Sequence, residues 1–65
     1  MILFQIDSDF GTVSVTWRNV YNQILRITGD EALAIECQSW AELATVGETY
    51  DESTFSIECI ETSRF

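Results

Sequence analysis

Two alternating runs of apolar and polar residues, joined by a short turn-forming stretch, constrain the fold of this chain most strongly. The runs cover residues 1–7 and 12–18, and their apolar positions are Ile2, Phe4, Ile6, Val13, Val15 and Trp17. A period of two is that of a β-strand, whose successive side chains point to opposite faces. The stretch between the runs, DSDFG, supplies turn-forming residues and ends in Gly11. We therefore predict an antiparallel hairpin.

A third run, NQILRIT from Asn22 to Thr28, has two interpretations. Its residues suit a strand. Val20, Ile24 and Ile27 also lie on one stripe of a helix. We favour the strand and keep the helix as the alternative.

The clearest helical signal lies between Thr28 and Gly47. Thr28 and Glu31 have the spacing of a capping box, and Gly47 can adopt the left-handed conformation that ends a helix. The apolar positions follow helical spacing and are Leu33, Cys37, Trp40, Ala41 and Ala44. This stripe predicts a helix packed on a core. A competing interpretation divides the segment into a strand over Ala32–Cys37 and a short helix after it.

The last run, Thr54 to Glu61, alternates again and predicts a final strand. The predicted fold class is therefore α+β, in the order β-β-β-α-β. It is an antiparallel sheet of about four strands with one helix packed on one face. A chain of 65 residues has no repeat, linker or low-complexity tract, so we expect a single compact domain over residues 1–65.

The strand pattern also assigns residues to the two faces of the sheet. The predicted apolar face carries Ile2, Phe4, Ile6, Val13, Val15, Trp17, Phe55 and Ile57. The predicted open face carries Thr12, Ser14, Thr16, Ser56 and Glu58. The open face is polar enough for water or for a partner, and the sequence leaves open whether the protein is a monomer or a dimer.

The residues that usually carry catalysis are scarce. The chain has no histidine and no lysine, so the usual general bases and imine-forming amines are missing. The Asp-x-Asp of DSDFG would need a glutamate seven residues after Gly11 to form a calcium loop, but Arg18 stands there. Cys37 and Cys59 lack the paired spacing of zinc ligands, and we favour two reduced thiols over a disulfide. We expect no enzyme activity, no metal site and no cofactor.

The charge balance points to a binding function instead. Three arginines, with no lysine, stand against 11 Asp and Glu residues and give a net charge of −8. Such a surface is repelled by nucleic acid and by anionic lipid, and it attracts basic partners. No basic signal region precedes the first apolar run, and no segment has the 18 or more apolar residues of a membrane span. We expect a cytoplasmic protein.

We predict a partner-binding surface built mainly of carboxylates. Its residues are Glu31, Glu42, Glu48, Asp51, Glu52, Glu58 and Glu61, with Tyr50 as an aromatic contact among them. Five of these acids lie in the base-free stretch from Val46 to Ser63. The alternative is that the acids serve only to keep the chain in solution.

The small size, the acidity, the absence of lysine and the β-rich plan resemble those of phage-encoded anti-CRISPR and anti-restriction proteins that act as DNA mimics. The resemblance covers the character of the whole chain and rests on no motif. It implies a non-enzymatic inhibitor in the bacterial cytosol. Its partner would be a basic nucleic-acid-binding Cas subunit, and it would block target DNA from a type I Cascade complex.

A second resemblance is local. Two strands, a third strand and then GDEAL, from Gly29 to Leu33, which opens a helix, are similar to HicB-type antitoxins over about forty residues of the chain. This resemblance implies that the partner is a toxin. In both families the partner is a basic protein, but they differ in whether the blocked site takes duplex DNA or is a toxin's active site.

Overall fold

The computed structural model describes residues 3–61, in which two β-hairpins enclose a pair of helices along the chain. The elements are β1 (Leu3–Ser8), β2 (Gly11–Thr16), a 3-10 turn (Trp17–Asn19), α1 (Val20–Thr28), α2 (Glu31–Leu43), β3 (Thr49–Asp51) and β4 (Phe55–Glu61). The protein therefore belongs to the α+β class, as predicted.

The four strands form one antiparallel sheet in the order β2-β1-β4-β3. The first hairpin contributes β1 and β2, and the last contributes β3 and β4, so the central pair joins the two ends of the described chain. Ile6 is paired with Val13 on one side and with Ile57 on the other. The predicted four-stranded antiparallel sheet is confirmed.

The predicted third strand, Asn22–Thr28, is wrong because these residues belong to α1. Val20 and Ile24 are fully buried, which is the spacing of one helical face. The helix ends at Gly29, whose φ of 71° lies in the left-handed region and whose N–H donates to the Leu25 carbonyl. The order is β-β-α-α-β-β, and two helices replace the single predicted one.

The second helix starts later than its predicted capping box. The Thr28 hydroxyl donates to the Ile24 carbonyl within α1, and the Asp30 carboxylate accepts the Leu33 N–H at 3.1 Å, which caps α2. Helix α2 continues through the segment that the competing interpretation assigned to a strand, so that interpretation is wrong. It ends at Leu43, before Gly47.

A short strand, β3, occupies part of the segment between α2 and the last strand, which the predicted order treats as a loop. Tyr50 pairs with Ile57, and the whole strand has three residues. Three residues are too few to show a period of two, which explains why the sequence pattern contains no signal for this strand.

Both helices pack on the same face of the sheet. The buried residues of this core are Phe4, Ile6, Val20, Ile24, Ala34, Cys37, Ala41, Ala44, Phe55, Ile57 and Cys59. Val15 and Trp17 pack against this core only in part, and Trp17 lies in the 3-10 turn instead of a strand. The predicted face residue Ile2 lies outside the described residues. Among residues 3–61, no helix lies on the other face of the sheet.

The helices are also joined by a side-chain cap. The Gln38 Oε1 atom accepts the Tyr21 N–H at 3.0 Å, so α2 satisfies one of the free N–H groups in the first turn of α1. The position of α1 therefore depends on α2 through this polar contact as well as through apolar packing.

The burial of Ile24 of α1 in the core is tested by truncating its side chain. We expect Ile24→Ala to lower the free energy of unfolding by about 2–5 kcal/mol, because the side chain is fully buried. The matched control is Ile35→Ala, which makes the same change at a side chain that is 51% exposed in α2, and its cost should stay below about 1 kcal/mol. Urea unfolding measures the free energy of unfolding of both variants and of the wild type. Equal losses for the two variants would contradict the burial of Ile24 against α2 and the sheet.

Candidate partner-binding surface

The carboxylates lie at the protein surface. All eleven acids are among the described residues, and every one of them is exposed. Leaving Glu42 aside, no carboxylate within residues 3–61 lies within 4.0 Å of a guanidinium nitrogen of Arg18 or Arg26. The charge is therefore available to a partner and is not used up in ion pairs between these residues.

The charges are also segregated along the chain. Residues 10–29 contain Arg18 and Arg26 and no acid, whereas residues 30–61 contain no base and nine of the eleven acids, all except Asp7 and Asp9. The acid-free stretch forms β2 and α1, and the acidic stretch forms α2, β3 and β4. Because β2 and β3 are the two edge strands, one edge of the sheet is acidic and the other is acid-poor.

The predicted acidic band is divided between two sides of the molecule. In β4 the buried residues alternate with Glu58, so Glu58 points to the open face of the sheet. Glu31 and Glu42 are exposed on α2, which packs on the opposite, buried face. Helix α2 and the open face therefore cannot contact one flat partner surface together.

The structure brings another set of the predicted acids together at the β3 edge. Glu48 precedes β3, Asp51 ends it and Glu52 follows it. The Glu48 carboxylate accepts the Thr45 hydroxyl at 2.7 Å, and the Glu48 carbonyl accepts the Cys59 N–H at 2.9 Å, which fixes this residue against β4. We call these three residues, Glu48, Asp51 and Glu52, the β3-edge acids.

The open face adds an acid that was not among the predicted site residues. Asp7 on β1 is paired with Ser56, which is paired with Asp51, so the two aspartates lie in one cross-strand row, two strands apart. At about 4.8 Å between strands, their backbones are about 10 Å apart. Glu58 lies in the next row of the same face. The period of two marks Asp7 as outward-facing, but only the strand order shows that it lies near Asp51.

Hydroxyl groups surround these acids on the open face. The side chains that carry these hydroxyls are exposed or half-buried, and they are Thr12, Ser14, Thr16, Thr49 and Ser56. The Thr12 hydroxyl donates to the Asp7 carboxylate. We call Asp7, Asp51, Glu58 and these hydroxyls the open acidic face. Glu61 lies at the end of β4, opposite Leu3.

Tyr50 points away from this face. Its ring stacks on Phe55 with centroids 6.4 Å apart and contacts Trp40 at 5.7 Å, and Trp40 in turn meets Phe4 edge-on at 5.6 Å. The ring is half-buried and belongs to this aromatic row. It supports β3 from the helix side of the sheet, and it does not offer an exposed aromatic contact among the acids.

The surroundings of Tyr50 raise the pKa of its phenol and of the neighbouring Cys37 thiol, so both groups are protonated at neutral pH. Burial raises the pKa of Tyr50 to about 12, and the charges of Cys37, Glu36 and Glu52 act in the same direction, together with a hydrogen bond to Glu36. Burial, Glu36 and Glu52 raise the pKa of the Cys37 thiol to about 11, against a smaller lowering by the hydrogen bond with Tyr50. A thiol with this pKa is a poor nucleophile at neutral pH.

The two cysteines and the acids form no recognisable metal site. Cys37 and Cys59 are both buried, and they are not joined by a disulfide. Among the described residues, no three His, Cys, Asp or Glu side chains are arranged so that they could hold a metal ion. Within residues 3–61, neither helix has the length and apolar character needed to cross a membrane.

Comparison of the chain with models of protein families, with curated proteins and with solved structures gives no match. The geometry and charge of the surface are therefore the basis for a functional proposal.

The packing of Tyr50 is tested by the dependence of stability on pH. Since folding raises the pKa of Tyr50 from 10.0 to about 12, this group stabilises the fold fully below pH 10, and the contribution is lost as the pH rises towards 12. We expect Tyr50→Phe, which keeps the ring, to lose less stability than the wild type between pH 10 and 12. Urea unfolding across this range measures the difference. Identical pH profiles would show that the phenol is not buried in the folded protein.

Proposed function

We propose that this protein is a non-enzymatic inhibitor that binds a basic, nucleic-acid-binding surface of a partner protein as a DNA mimic. The observation that carries the proposal is the segregation of exposed charge, with nine acids and no base in residues 30–61. A site that binds duplex DNA is built to receive closely spaced negative charge, and it attracts any surface that presents such charge in an ordered array.

The contact surface that we propose combines the β3-edge acids with the open acidic face. The edge strand β3 brings Asp51 beside Asp7 and Glu58 on the open face, and Glu48 and Glu52 flank this strand at the edge of the sheet. Carboxylates accept bidentate hydrogen bonds from arginine, as phosphates do, and nearby hydroxyls add further hydrogen-bonding groups. Glu31 and Glu42 lie on the helix side and would take part only if the partner wraps around the molecule.

The rigid placement of these acids supports the proposal. The sheet fixes the backbone of Asp7, Asp51 and Glu58 through pairing on both sides of β1 and β4. A charged surface that is already ordered loses less conformational entropy on binding than a flexible acidic tail does.

The partner class that we propose is the type I CRISPR surveillance complex, Cascade, at the basic surface that receives target DNA. The support for this choice is the resemblance in size and acidity to phage-encoded anti-CRISPR proteins. The resemblance to HicB-type antitoxins depended on a third strand before GDEAL, and that segment is helix α1 in the structure. No specific observation now favours a toxin as the partner.

The proposed surface is tested with two double variants that remove the same charge from opposite sides. Asp51→Asn with Glu58→Gln should weaken inhibition of duplex binding by Cascade by roughly three- to tenfold at low salt, as expected for two rim charges. Glu31→Gln with Glu42→Gln, on the helix side, should have a smaller effect. The loss should shrink as salt rises, because the Debye length falls from about 30 Å at 0.01 M to about 8 Å at 0.15 M.

Binding of a labelled target duplex to purified Cascade, with the protein as competitor, provides the measurement. Absence of inhibition by saturating wild-type protein would contradict the choice of partner. Equal losses in the two double variants would contradict the choice of surface, and no loss in either variant would favour the explanation that the acids serve only to keep the chain in solution. Circular dichroism of each variant controls for loss of the fold.

A further inference from the structure

The two edges of the sheet differ in how well they are protected against pairing with another strand. An edge strand presents unpaired N–H and C=O groups, and proteins block such edges with short strands or with charge. Strand β3 has three residues and carries the β3-edge acids on and beside it. Strand β2 has six residues, GTVSVT, without a charge or a proline. Only the β3 edge is therefore protected.

Exposed apolar side chains lie beside the unprotected edge. Phe10, in the turn before β2, is 80% exposed, and Val13 is 41% exposed. Together with Gln23, Arg26 and Ile27 of α1, they line an open cavity of about 350 Å³ between β2 and α1. An exposed phenylalanine and a valine beside an unpaired strand form a surface that gains free energy when it is covered.

The charges at the two ends of β2 are opposite. Asp9 precedes the strand, whereas Arg18 follows it, with its guanidinium 5.5 Å from the centre of the Trp17 ring. Antiparallel pairing of two β2 strands about a two-fold axis would place the beginning of each strand beside the end of the other. Asp9 and Phe10 of one copy would then approach Trp17 and Arg18 of its partner.

The remaining acids favour the same arrangement. Residues 10–29 contain no acid, and the acidic β3 edge lies at the far side of the sheet. Two copies that each carry a charge of −8 therefore meet with least repulsion when their β2 edges face each other. A head-to-tail contact of β2 with β3 would pair β2 with a strand of only three residues. It would also leave a β2 edge and a β3 edge unpaired at the two ends, so that further molecules could add without limit.

We propose that two copies of this chain form a dimer through antiparallel pairing of their β2 strands, which joins their sheets into one and leaves the acidic β3 edges at its two outer ends. The occupant of the β2 edge and of the adjoining cavity is thus a second copy. This inference rests on the edge strand and its flanking charges, and it does not depend on the proposed function.

The dimer is tested by placing a charge at each edge of the sheet in turn. Ser14 and Thr49 are both exposed, and they lie in one cross-strand row through Gln5 and Glu58, at the β2 and β3 edges respectively. Ser14 lies near the middle of β2, so two-fold pairing brings its two copies close together. Ser14→Lys should therefore raise the dissociation constant of the dimer at least about tenfold, since neighbouring like charges destabilise a strand pair. Thr49→Lys makes the same charge change and should leave the dimer intact.

Sedimentation equilibrium of the full chain in about 0.15 M salt, where the Debye length is about 8 Å, provides the measurement. Wild type and Thr49→Lys should show twice the 7.4 kDa mass of one chain. A wild-type mass of 7.4 kDa at every concentration would overturn the proposal. So would a dimer that is lost in Thr49→Lys and kept in Ser14→Lys.

Hydrogen exchange of the wild-type protein tests the same contact without a substitution, in case Ser14→Lys does not fold. Every second amide of β2 points away from β1 and is unpaired in a monomer. These amides should exchange more slowly as the protein concentration rises through the dimerisation range. Exchange rates that do not change with concentration would overturn the proposal.

Discussion

The fold depends on the packing of small buried side chains on α2 against large ones on the sheet and on α1. The buried residues of α2 are all small, Ala34, Cys37 and Ala41, whereas the sheet and α1 supply the large ones. Small residues let α2 lie close to α1, and the large side chains of α1 and the sheet then fill the space between the layers at the density of a protein interior. In a chain of this length few other contacts could compensate for a cavity at this interface.

This core leaves the acids out of the packing. No charged side chain is buried in the described part of the chain, and the side-chain cap between the helices is an uncharged amide, Gln38. The acids can therefore be placed where a partner requires them. The acids are concentrated near β3 and absent from β2, and both the proposed partner surface and the proposed dimer rest on this arrangement of charge.

Much of this fold follows from the spacing of apolar residues along the chain, which has a period of two in strands and of about 3.6 in helices. The alternation around Phe4, Val15 and Ile57 predicts three strands correctly, and the stripe through Cys37 and Ala41 predicts α2. The residues of segment 22–28 also suit β structure, so the sequence alone predicts a strand there. The burial of Val20 and Ile24 on one face shows the helix α1 instead. The site was less predictable, because strand order decides which acids are neighbours.

The central claim is that the net effect of the exposed acids on one another is repulsion, although single carboxylates such as that of Asp30 also make local hydrogen bonds. The most direct test is the free energy of unfolding, measured with urea at NaCl concentrations from about 0.01 M to 0.15 M, over which the Debye length falls from about 30 Å to about 8 Å. If the acids act only through repulsion, screening should raise the stability across this range. A stability that falls as salt is added would contradict this claim, because it would show that the carboxylates form attractive pairs within the fold.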